Sequence, residues 1–140
     1  MGNIDPVRAK VQSILAERFT VELTSNGGYS LRHESAQLFV ELVDQETRFL
    51  VKLTCPVLFK VKATPEMFEH IALHADDYYF GHLSAFRTED GASIYFTHVL
   101  LGDYLDSEEL IQVVVALLQG SNSLDDELQG IFGGQRYHED

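Results

Sequence analysis

"LFVELVDQETRFLVKLTCP", residues 38–56, decides the fold. Leu38, Val40 and Leu42 recur at every second position, and Phe49, Val51 and Leu53 do the same after the centre. A period of two is the signature of a strand with one buried face. Asp44-Gln45-Glu46 interrupts the pattern with three polar residues, so the two runs read as an antiparallel hairpin. Cys55-Pro56 is expected to end the second strand, because proline removes a ladder donor.

The same reading extends outward. "FTVELT" alternates from residue 19, Asn26-Gly27-Gly28 supplies a tight turn, and "YSLRHE" returns as its partner. Downstream, "HLSAFRT" and "ASIYFTHVL" flank Glu89-Asp90-Gly91 as a third hairpin. Helices punctuate these strands. Asp5 as N-cap and Pro6 at the first helical position start one, which runs on Val7, Val11, Ile14 and Leu15 to about Arg18. Thr64-Pro65-Glu66 starts a second, expected to reach about Tyr79. Asp106 with Glu109 caps a third as far as Leu118. Gly120-Ser121-Asn122-Ser123 is expected to break it, leaving a short fourth helix with Leu124, Leu128, Ile131 and Phe132 on one face. The order α-ββββ-α-ββ-α-α implies an α+β fold with a mainly antiparallel sheet of about six strands.

At 140 residues the chain has the size of one domain, expected to span residues 1–132, with residues 133–140 fraying as a tail. Residues 1–65 hold eight Lys/Arg against seven Asp/Glu, whereas residues 66–140 hold two against fifteen, so the net charge of −12 sits in the second half. Such a surface lacks the basic footprint that phosphates need, which argues against nucleic acid and for basic or amphipathic polypeptide partners. "MGNIDPVRAK" has no apolar stretch before its charges, and "VVVALL" is too short to span a bilayer. With Cys55 as its one cysteine, the chain suits a reducing compartment, and a cytoplasmic location without membrane contact is expected.

Three places invite a chemical reading. The second helix, which carries "EHIALHADDYYFGH" at residues 69–82, sets Glu66, His70, His74 and Asp77 within an arc of about 80°. Histidines four apart can hold zinc, so a small metal-binding or sensory regulator is the alternative function. Met67, Phe68, Ile71 and Tyr78 take the opposite side, however, so the column faces solvent and no cofactor is expected. Cys55 sits at a strand end among valines and leucines, as a core cysteine does. G-x-S-x-G, P-loop and G-x-G-x-x-G patterns do not occur, so the sequence offers no catalytic constellation and a non-enzymatic role is expected. The third place is a sheet face. Thr20, Glu22, Ser30, Arg32, Glu41, Arg48 and Lys52 give the outer face its charge, and Phe39, Val43 and Leu50 break the rule. An apolar cluster there marks a contact surface for a polypeptide or a second subunit, unless a neighbouring helix or loop covers it.

"THVLLGDYLDSEELIQVVVALL" followed by "LDDELQGIFGG" resembles the C-terminal part of bacterial YbjN-like domains, as does the helix–"FGHL"–hairpin arrangement before it. These domains resemble the chaperones of type III secretion systems. The resemblance implies a small acidic α+β protein, often a homodimer, that holds an extended client segment without hydrolysing anything. It carries no binding residues over by motif, and the histidine-rich stretch departs from the family pattern.

Overall fold

The computed structural model describes residues 3–138. The hairpin of residues 38–56 stands at its centre. Strand β3 (Ala36–Asp44) pairs antiparallel with β4 (Phe49–Val61), with Val43 opposite Leu50 and Phe39 opposite Thr54. β2 (Tyr29–His33) joins β3, and the two-residue β1 (Glu22–Leu23) joins β2. β6 (Gly91–Leu101) lies on the other side of β4, and β5 (His82–Thr88) completes a six-stranded antiparallel sheet ordered β1-β2-β3-β4-β6-β5.

β4 continues five residues past Pro56, contrary to the expected stop. Its register slips between Pro56 and Leu58 and again before Val61, and such irregularities let a strand carry a residue that cannot donate. β1 is shorter than the alternation implied, and Leu23, expected to face the core, is 73% exposed. A sheet edge leaves its last strand with one neighbour and no roof, so pattern alone does not bury it.

One face of the sheet is roofed by helices α1 (Asp5–Arg18), α2 (Pro65–His74) and α3 (Ser107–Phe132). Leu38, Val40, Val51, Leu53, Ile94 and Phe96 point into that roof and meet Val11, Leu15, Met67, Leu110, Val114 and Leu117, all at most 2% exposed. Thr64 caps α2 by accepting from Met67 N at 3.2 Å, and Asp106 caps α3 by accepting from Glu109 N at 2.9 Å. At α1 Asp5 is the first helical residue rather than the N-cap, which is Ile4 with no side-chain cap; the Asn3 side chain just before it accepts from Asp5 N at 3.0 Å. α2 ends at His74, short of Tyr79, because Tyr78 turns inward onto Phe96, ring centroids 5.0 Å apart.

The expected break at Gly120-Ser121-Asn122-Ser123 is not a break. α3 runs through it as one helix of 26 residues, so the described residues form three helices, not four. A Cβ on Gly120 would stand 3.1 Å from the Phe96 ring, and Ser121 is fully buried. These small residues let the helix pass close over β6, and burial of Leu117, Leu118, Leu124 and Leu128 outweighs their weak helix propensity. Ile131, read as part of the same stripe, is 54% exposed. Gly133 and Gly134, both at positive φ, turn the chain out of α3. Gln135 then bridges to Phe59, and Arg136 meets Asp125 and Asp126. Residues 139–140 lie outside the described residues.

Candidate functional site

The face opposite the helices is open, and the strand registers order it into rows. Val43, Leu50 and Leu101 stand side by side across β3, β4 and β6. The next row is Glu41, Lys52 and Val99, and the one after it Phe39, Thr54, Thr97 and His82. The three residues picked from the alternation therefore share a face but do not form one cluster. Val43 and Leu50 are direct cross-strand partners, extended by Val99 and Leu101, which are 45% and 47% exposed. Phe39 stands apart, beyond the oppositely charged pair Glu41 and Lys52.

Phe39 belongs to a second group that pattern reading missed. Its ring lies 5.8 Å from Tyr137, Tyr137 lies 5.9 Å from Phe59, Phe59 6.3 Å from Tyr95, and Tyr95 5.7 Å from Phe86. Offset and edge-on arrangements at these separations are the favourable geometries for aromatic rings. The line of five rings crosses β3, the tail, β4, β6 and β5. A depression of about 580 Å³ opens beside it, lined among others by Phe39, Thr54, Phe59, Tyr95 and Tyr137. The signal existed in part: Ser93, Tyr95, Thr97 and Val99 continue the period of two along β6. Phe59 was hidden by the premature strand end at Pro56, and Tyr137 reaches the face only through the turn at Gly133-Gly134.

The histidine column has another geometry from the one expected. Asp77 lies beyond the end of α2, yet its Oδ2 is 2.7 Å from His74 Nδ1. His70 stacks against His74 at 4.5 Å and edges onto Phe132 at 5.2 Å, so it is partly covered rather than fully wet. Glu66 is exposed on the first turn. Among the described residues, no group of three His, Cys, Asp or Glu converges as a metal shell would require. Cys55 is buried, and that burial pushes its thiol up to about 12, far from a reactive thiolate. Burial also raises Asp125, which is 2% exposed, against the opposing pull of a 2.6 Å hydrogen bond from Ser35 Oγ. His98 is lowered by burial and by neighbouring His82, and its Nδ1 accepts from Gly81 N at 3.0 Å.

The "LLGD" segment acts at the end of this face. Leu100 is buried beneath the helices while Leu101 points to the open side. Gly102 N donates to Phe49 O at 2.7 Å, and Asp103 Oδ2 accepts from Phe49 N at 2.7 Å, which fastens the start of β4. A Cβ on Gly102 would stand 2.9 Å from Val7, so α1 closes over this corner.

Residues 5–140 match the family described as T3SS (YopN, CesT) and YbjN peptide-binding chaperone 1. The chain belongs to this family. Among curated proteins there is no significant match. Two solved structures agree in fold with this peptide-binding chaperone family member. A chain of the ExsC–ExsE complex superposes with a TM-score of 0.63 at 20% identity, covering 85% of this chain and 93% of that one. The Yersinia pestis type III secretion chaperone SycH, in complex with a stable fragment of YscM2, superposes with a TM-score of 0.57 at 8% identity, covering 84% and 98%. These similarities establish a shared architecture of one antiparallel sheet and three helices. Among the described residues no helix is long and apolar enough to cross a membrane.

Proposed function

We propose that this member of the peptide-binding chaperone family holds an extended client polypeptide on the open sheet face, with Val43, Leu50 and Phe39 as its anchors and no chemical change to the client. The observation that carries this reading is that face itself: an apolar row at one end, the aromatic line with Phe39 at the other, the charged pair Glu41 and Lys52 between them, and no described helix over it. A monomer of this size rarely leaves such a surface without a partner. Four residues of strand separate Phe39 from Val43, about 13 Å at 3.3 Å per residue, a span that side chains i and i+4 of an extended client reach. The similar SycH structure and the ExsC–ExsE structure are both complexes with a second polypeptide, which supports the same use here. We place the protein in the cytoplasm and read it as a homodimer, since its sheet edges and apolar rims favour a symmetric pair.

The experiment captures clients from native cytoplasm with the wild-type chain, then spans them with overlapping peptides on an array. Phe39→Ala/Leu50→Ala is expected to weaken the bound peptides at least tenfold, because central apolar anchors carry most of an interface's energy. Unchanged array binding by the folded variant would overturn the reading.

A further inference from the structure

The C-terminal tail already sits where a client would. β3 pairs with β4 only between Asp44–Phe49 and Phe39–Thr54, so the stretch of β4 around Phe59 runs beyond its neighbour. Gln135 takes the vacant place: Phe59 N donates to Gln135 O and Gln135 N donates to Phe59 O, both at 2.8 Å. Two residues on, Tyr137 comes up on the open face and wedges its ring between Phe39 and Phe59, at 5.8 and 5.9 Å. His138 Nε2 then meets Gln37 Oε1 at 2.8 Å. A backbone pair followed by a side-chain anchor is how an extended peptide adds to a sheet.

We propose that residues 135–138 are a tethered competitor for the client, and that the segment displacing them is extended and carries an aromatic side chain two residues after a backbone-paired position. This rests on the reading of the open face as the client face. The grip is suited to exchange. Its backbone pairing is the isolated bridge of Gln135 to Phe59, and Tyr137 stays 37% exposed. The swivel is Gly133-Gly134, at φ of 73° and 91°, with open space around the Gly133 Cβ position. Arg136, held by Asp125 at 3.5 Å and by Asp126, keeps the tail near its slot. A short tether of this kind presents its segment at millimolar effective concentration, or about that, so weak sequences are screened out. The apparent affinity of a client falls by the fraction of chains whose slot is open.

The test uses the full-length chain and a fluorescein-labelled peptide of sequence GGQRYHED, read by fluorescence anisotropy. In one variant Gln135→Gly, Arg136→Ser, Tyr137→Gly and His138→Ser empty the slot; the milder Tyr137→Ala serves if the first melts too low. The peptide is expected to bind the variant at least tenfold tighter than wild type. That gain should vanish when the peptide's tyrosine is replaced by alanine, and when Phe39→Ala is added to the variant. Equal binding to wild type and variant, or binding that survives loss of the peptide's tyrosine, overturns the proposal. The client face is judged separately by array binding of Val43→Ala/Leu50→Ala, at the end the tail does not touch. Loss there with no tail effect leaves the face standing and removes the competitor, whereas a tail effect with array binding indifferent to Val43 and Leu50 shows only that the tail fills its slot, and overturns both the client face and the competition for it.

Discussion

Replacing Phe39 and Leu50 by alanine should cost the fold much less than the same operation on the core side of the same two strands, at Leu38 and Leu53. Leu38 and Leu53 are fully buried under the helices, and the matched pair lies on the same two strands. A buried Leu→Ala change loses its transfer energy and leaves a cavity, about 2–5 kcal/mol each. Leu38→Ala/Leu53→Ala therefore costs about 6 kcal/mol, allowing for some coupling between neighbours. On the open face water refills the truncated space and the cavity contribution vanishes. Partial burial then leaves about 1–2 kcal/mol for each residue, the upper end for Phe39 with its Tyr137 partner, or about 3 kcal/mol for the pair. With a urea slope of about 2 kcal/mol per molar for a domain of this size, the midpoints should fall by about 1.5 M and about 3 M. The assay is urea unfolding followed by circular dichroism, on wild type and both double variants at one protein concentration. Equal losses for the two pairs would mean that the open face is as closed as the core, and the argument for an uncovered contact surface would fail.

Other consequences can be checked alongside. Asp125 has its folded pKa raised by burial, so below that raised value the folded state holds a proton that the unfolded state lacks; its contribution to stability therefore grows as pH falls from neutral through the folded pKa towards the ordinary carboxylate range, and Asp125→Asn should flatten that part of the stability profile measured by thermal melts. Gly120→Leu should destabilise by about 1–3 kcal/mol, seen as a lower melting temperature, because its side chain would be driven into the Phe96 ring. Light scattering at tens of micromolar should give about twice the 15.8 kDa chain mass, and a monomer mass would refute the symmetric pair.

What the sequence alone determined was whatever depends on neighbours along the chain. The period of two identified the hairpins, Thr64 and Asp106 marked helix starts, and the antiparallel order followed from short turns between strands. Phe39, Val43 and Leu50 were legible as a breach of alternation, because strand geometry by itself assigns alternate residues to opposite faces. Tertiary contact decided the rest. Gly120 and Ser121 read as a helix break until Phe96 beneath them shows why small residues belong there. Pro56 read as a strand end, yet β6 pairs across the irregularity beyond it. The separation of Val43 and Leu50 from Phe39 by Glu41 and Lys52 needs the register of two strands at once. Of the aromatic line only Tyr95 has a local signal, in the period of two along β6; its meeting with Phe59 and Phe86, and the return of Tyr137 to Phe39 from 98 residues away, are set by tertiary contact. Periodicity reports which side of its own element a residue takes, whereas what stands opposite it depends on how the chain closes on itself.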